Sequence, residues 1–142
     1  MYRVLLPVDT NEERATRAAR DVTDLPRDPE DLSVVVLNVD EPYSVGDGGG
    51  RVSSEEFFDE TEFPETVDAV GEILDAAGID IDQQRTHGSP AEEILAVADE
   101  VDADLIAMSG RKRTPTGKVL FGSVTQSVLL ESTRPVLVST ED

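Results

Sequence analysis

The sequence predicts an α/β fold: a five-stranded parallel sheet with helices on both faces. Two observations lead there. Five short runs dominated by Val, Leu and Ile are separated by stretches of helical character, and Pro, Gly or Asp punctuates nearly every junction. Strands alternating with helices are joined by right-handed crossovers into one parallel sheet. The 142 residues suit one domain, 1–142, with a real hydrophobic core.

Residues 2–8 are nearly continuously apolar, as in a strand buried on both faces, and Asp9 stands at its carboxyl end. Thr10 with Glu13 forms a capping-box pattern for a helix over 11–25, whose Ala15, Ala18 and Ala19 permit close approach to a sheet, and Pro26 and Pro29 end it. A second buried strand is expected at 32–39, closed by Asp40, Glu41 and Pro42. The glycine-rich stretch 43–54, with Gly46, Gly48, Gly49 and Gly50, reads as a mobile crossover loop; no cap or basic side chain follows its glycines as a phosphate cradle requires.

Residues 55–77 are expected to be mainly helical, with a fresh start at Pro64 and an end at Gly78. A short third strand follows at 81–86. Ser89 as N-cap and Pro90 at the first position, with Glu92 two residues on, open a helix to about Val101. The fourth strand is 105–109, closed by Gly110. Ser123 and Gln126 form another capping-box pattern, opening a helix to about Ser132, and 135–139 is the last strand.

Ligands of such sheets lie beyond the carboxyl ends of the strands, where strand order reverses. Asp9, Val39 with Asp40, and the segment from Gly110 onward sit at such ends. The segment 110–123 is the sharpest feature: Arg111, Lys112, Arg113 and Lys118 place four of the twelve basic groups within eight positions. Glycines admit a phosphate to the backbone, arginine and lysine donate charged hydrogen bonds, and the helix after Gly122 and Ser123 aims free N–H groups outward. An anion site is one reading; a glycine turn whose arginines balance surface carboxylates is the other. The Ser123 hydroxyl either meets phosphate or caps its helix. The segment is not a Walker A loop: Val119 follows Gly117-Lys118 where Ser or Thr belongs, and Lys112 occupies the position of the leading glycine. Nor does a G-x-G-x-x-G fingerprint follow the first strand.

The composition excludes several classes. Without cysteine there are no disulfides, thiolate metal clusters or cysteine nucleophiles. Thirty-one acidic against 12 basic residues give a net charge of -19, which repels nucleic acid and anionic membrane at long range, so neither is expected as a partner. Only two of the basic residues are lysines, Lys112 and Lys118. An acid-rich, lysine-poor surface suits concentrated salt, where screening shortens repulsion to a few ångströms, and a halophilic source is expected. No apolar run approaches the roughly 18 residues of a membrane span, and the opening residues lack a signal-peptide pattern, so a soluble cytoplasmic protein is expected.

The acidic pairs Glu12-Glu13, Glu55-Glu56 and Glu92-Glu93 read as helix-start charge, and none has metal-site spacing. His87 reads as an ordinary loop histidine. Phe57, Phe58 and Phe63, set among acids, read as cover for the crossover. Asp9 has three open readings: a Mg2+ contact through nucleotide phosphates, a bond to a ribose hydroxyl, or satisfaction of backbone groups at its turn.

The opening Val4-Leu5-Leu6-Pro7-Val8-Asp9, the Gly88-x-Pro90-x-x-x-Ile94 stretch, and the closing Met108-Ser109-Gly110, Gly122-Ser123-Val124-Thr125 and Pro135-Val136-Leu137-Val138, in that order, closely resemble universal stress proteins of the UspA type. The resemblance implies a Rossmann-like three-layer sandwich of the adenine nucleotide alpha hydrolase-like kind. It implies a homodimer formed through the last strand near Val136, Leu137 and Val138, and ATP or AMP as ligand in some members. By position, Asp9 would meet the nucleotide near the ribose and Val39 would line the adenine site. Gly110, Gly122, Ser123, Val124 and Thr125 would surround the phosphates, with Arg111, Lys112, Arg113 and Gly117 in the loop between. The family's nucleotide pattern resembles Gly-x-x-Gly, nine residues, then Gly-Ser; here Gly122 follows Gly110 by twelve positions, one short, and position 113 is Arg. That substitution either blocks the backbone geometry or supplies a side-chain clamp.

Two functions follow from the resemblance: a small stress-response protein binding ATP or AMP through a modified glycine and basic loop, or a nucleotide-free homodimeric adaptor acting on a protein partner. A phosphate-transfer enzyme is a weaker third, since no base is placed to activate water and any ATP hydrolysis would be slow.

Overall fold

The structure, a computed structural model, describes residues 1–41, 59, 61–110 and 122–140. Strands β1 (Tyr2–Val8), β2 (Leu32–Asp40), β3 (Asp80–His87), β4 (Leu105–Gly110) and β5 (Val136–Thr140) form one parallel sheet in the order β3-β2-β1-β4-β5. Helices α1 (Glu12–Thr23), α2 (Glu65–Ala76), α3 (Pro90–Glu100) and α4 (Ser123–Glu131) alternate with them.

Alternation along β1 builds two cores. Val4, Leu6 and Val8 face α1 and α2, where Ala15, Ala18, Ala19, Val22, Val67, Val70 and Leu74 are buried. Leu5 faces the other way, into a core with Val35 and Leu37 of β2, Ile94 and Val97 of α3, and Val128 of α4. Three layers result, as the continuous apolar strands and one-sided helices require. Alanine lets α1 lie close to the sheet. Gly71 does the same for α2, where an added Cβ would stand 3.4 Å from the Ile81 side chain. No helix among the described residues is long and apolar enough to cross a membrane.

The departures from the sequence reading lie at the ends of elements. Helix α1 stops at Thr23 instead of Leu25, because Pro26 disfavours helical geometry in the residue before it. Its N-cap is Asn11, whose side chain accepts from the Arg14 amide at 2.9 Å, so the Thr10–Glu13 box does not form; Glu13 instead meets Arg17 at 3.4 Å. Gly122 is the N-cap of α4 and its carbonyl accepts from the Gln126 amide at 2.9 Å, which makes Ser123 the first helical residue rather than the cap. Ser89 is an N-cap as expected, without a side-chain bond.

Strands β2 and β4 run one residue further at the carboxyl end than expected, β3 one residue further at each end, and β5 begins and ends one residue later. The carboxyl ends follow ladder pairs such as Asp40 with His87 and Gly110 with Thr140. His87 therefore ends a strand and is not a loop residue. A 3-10 turn, Pro29–Asp31, precedes β2, and α2 starts after Pro64, with Gly78 at φ +80° beyond its end. The expected crossover loop 43–54 and the helical start with Phe57 and Phe58 lie outside the described residues.

The chain moves from β1 outward to β2 and β3, then returns to the other side of β1 for β4 and β5. The reversal falls between β1 and β4, so their following connections diverge and open a crevice.

Candidate functional site

That crevice is a cleft of about 870 Å³ at the carboxyl ends of β1, β2 and β4, within the usual range of roughly 300–1,000 Å³ for small-molecule sites. Val39, Ile94, Met108 and Val124 supply apolar surface, and Phe63 and Pro64, just before α2, form a wall.

Asp9 leaves β1 into the cleft. Its Oδ1 accepts from the Asn11 amide at 2.8 Å and its Oδ2 from Arg14 Nη2 at 3.1 Å, while its peptide oxygen accepts from the Thr66 hydroxyl at 2.6 Å. Of the three readings of Asp9, satisfaction of its own turn is present in the structure. Its side chain is nevertheless 62% exposed at the cleft, so the carboxylate is held in orientation without being enclosed.

A second network braces the other side. Buried Asn38 donates to the Val8 carbonyl at 3.2 Å and accepts from Arg85 Nε at 3.0 Å. Arg85 also donates through Nη1 to the Asp59 carbonyl at 2.6 Å, and its Nη2 lies 3.5 Å from Asp40. The other Asp40 oxygen is 2.8 Å from His87 Nδ1. Asp59 in turn accepts from the Thr61 hydroxyl and amide. Those two bonds, helped by the Arg85 charge and opposed by slight desolvation, hold its carboxyl below the ordinary value.

On the β4 side, the Thr125 hydroxyl donates to the Ser109 carbonyl at 3.0 Å, fixing the first turn of α4 against the strand end. Of the residues singled out in the sequence, Asp9, Val39, Val124 and Thr125 line the cleft. Gly110 directly follows the lining residue Ser109, and Gly122 and Ser123 directly precede Val124, so all three border it. Arg111, Lys112, Arg113 and Gly117 lie outside the described residues. Sequence reasoning missed Asn38, Thr66 and Arg85. The signal for Asn38 was an amide inside an otherwise apolar run, and for Arg85 a lone cation within a strand of an acid-rich chain.

Among the described lining residues, Asp9, Asp40, Glu41 and Glu62 are acidic and Arg85 is basic. The neighbouring cationic charge in the sequence is the run Arg111, Lys112, Arg113, immediately after β4. No group of three or more His, Asp or Glu side chains among the described residues is arranged to hold a metal ion.

Residues 1–139 match the profile of the universal stress protein family. A curated relative, universal stress protein MJ0577 of Methanocaldococcus jannaschii, is 32% identical over 100 residues, covering 66% of this chain and 62% of the relative. The chain spans 40% to 62% of the length of the curated relatives it matches. Among solved structures, a universal stress protein from Archaeoglobus fulgidus superposes with a TM-score of 0.71 at 32% identity, over 97% of both chains. A universal stress protein from Archaeoglobus fulgidus in complex with dAMP gives 0.65 at 28% identity, over 97% of this chain and 96% of that one.

Proposed function

The chain belongs to the universal stress protein family, and from that premise we propose that it binds an adenine nucleotide, ATP or AMP, in the cleft between β1 and β4. The observation that carries this reading is the meeting of Asp9, Val39, Val124 and Thr125, drawn from three separate stretches of chain, around one cleft of about 870 Å³. The likeness to a protein in complex with dAMP supports it.

The residues fit such a ligand. Val39, Ile94, Met108 and Val124 offer apolar surface to a base, and Asp9 offers acceptors to sugar hydroxyls. The amino end of α4 presents N–H groups to phosphate. A Cβ on Gly122 would meet nothing within 4 Å among the described residues, so no packing among them requires the glycine. Arg111, Lys112 and Arg113 would supply the positive charge that the acidic lining lacks. In this reading the product is a bound state, and any ATP hydrolysis would be slow. The acid-rich surface fits this activity to concentrated salt.

The test is titration of ATP and AMP into nucleotide-stripped protein near 2 M KCl, a concentration at which charge is screened within roughly 3 Å. One saturable site per chain, weakened by Ser123→Ala or Arg113→Ala, supports the reading. Absence of binding by both heat and equilibrium dialysis overturns it.

A second reading rests on a different observation. β5 is an edge strand with half-buried Val136, Leu137 and Val138, and Leu130 on α4 is 78% exposed. We infer a homodimer through this edge, which would pair an open strand and cover apolar surface. In the nucleotide-free form of this reading, the dimer acts as an adaptor for a protein partner. A monomer mass by light scattering at high salt contradicts it.

A further inference from the structure

We propose that Arg85 is a positioning residue that fixes the wall of the cleft by tying the crossover to the sheet; the consequence for ligand rests on the nucleotide reading above. The side chain is 15% exposed and, among the described residues, its guanidinium serves Asn38 Oδ1 at 3.0 Å, the Asp59 carbonyl at 2.6 Å and Asp40 Oδ1 at 3.5 Å. Two of these lie on β2, and the third belongs to the crossover that returns to α2.

The Asp59 carbonyl begins a tight turn, also accepting from the Glu62 amide at 3.2 Å, while the Asp59 carboxylate binds the Thr61 amide at 2.9 Å and hydroxyl at 2.6 Å. Glu62, Phe63 and Pro64, which follow at once, line the cleft. Arg85 is therefore fastened to the carbonyl from which the wall departs. Through Asn38 the same guanidinium reaches the Val8 carbonyl, one residue before Asp9. Wall and opposite floor are referred to one planar cation. Lysine cannot replace it, because a single ammonium lacks the rigid fork that reaches acceptors in three directions.

The experiment compares the full chain with Arg85→Lys and Arg85→Gln, by backbone 15N order parameters without ligand, ATP titration and urea unfolding. In the wild type, residues 61–63 should be as ordered as rigid backbone, near 0.85, and in both variants should fall toward 0.6 while β3 amides hold. ATP affinity should fall roughly tenfold in both, because the loosened wall must then be ordered on binding, with lysine giving no rescue. Unchanged order at 61–63 in both variants overturns the proposal, as does an equal loss across β3, which would mean general loosening. If the wild type takes up no ATP, the nucleotide reading fails alone, and the order parameters still decide whether Arg85 holds the wall.

Discussion

Asn38 Oδ1 accepts from Arg85 Nε at 3.0 Å across 47 residues of sequence, and the same amide donates to the Val8 carbonyl at 3.2 Å. One buried side chain thus joins three adjacent strands where the cleft begins. Asn38→Ala leaves Arg85 Nε and the Val8 carbonyl each short of a partner, at about 1–3 kcal/mol per unsatisfied buried group. Urea unfolding should show a loss of about 2–4 kcal/mol; a loss under about 0.5 kcal/mol would mean that water replaces the amide without penalty.

Gly78 has φ +80° after α2, and among the described residues an added Cβ would meet only Pro29, at an ordinary 3.7 Å. The cost of Gly78→Ala is therefore backbone strain and not a clash, about 1 kcal/mol. An unchanged unfolding free energy would show that the turn relaxes to negative φ.

Leu6 is fully buried between β1 and the α1–α2 layer. Leu6→Ala should cost about 2–5 kcal/mol, from lost transfer energy and the cavity left behind. Chemical denaturation measures it, and a cost below about 1 kcal/mol would mean that the layer collapses onto the gap.

The Asp59 carboxyl is held below its ordinary value of 3.8, chiefly by the Thr61 hydroxyl and amide. A carboxyl depressed in the folded state stabilises above its unfolded pKa, and that contribution is lost as pH falls through the folded one. The Asp59 turn should be insensitive to pH from 7 to about 5 and weaken only in acid below 3.8. An NMR titration with its Asp59 midpoint at or above 3.8 would contradict the turn geometry.

A net charge of -19 repels itself in the compact state. Raising KCl from about 0.1 M to about 3 M shrinks the screening length from roughly 10 Å to below roughly 3 Å, so thermal unfolding should move to higher temperature. A melting temperature that is flat or falls with salt would remove the argument for a salt-adapted surface.

The fold was legible because its signals are local. Continuous apolar runs marked β1 at its observed bounds, and Pro64 and Gly78 bracketed α2. Caps were less legible: Thr10 and Asn11, or Gly122 and Ser123, are adjacent candidates, and only three-dimensional geometry chooses between them. Asp9 and Val39, which line the cleft, were legible as strand ends, whereas Val124 and Thr125 were reached through the family resemblance. Thr66, which reaches Asp9 across 57 residues, and Arg85 could not be found, since their partners are set by strand order and not by spacing.

The most direct test of the account is an ATP titration of 15N-labelled protein at high salt, followed at the amides of Asp9, Val39, Val124 and Thr125. These amides, brought together from the carboxyl end of β1, from β2 and from α4, should shift along one saturable curve while β5 amides stay still. Shifts that never saturate, or that fall outside the cleft, would contradict the assignment of this crevice as the nucleotide site.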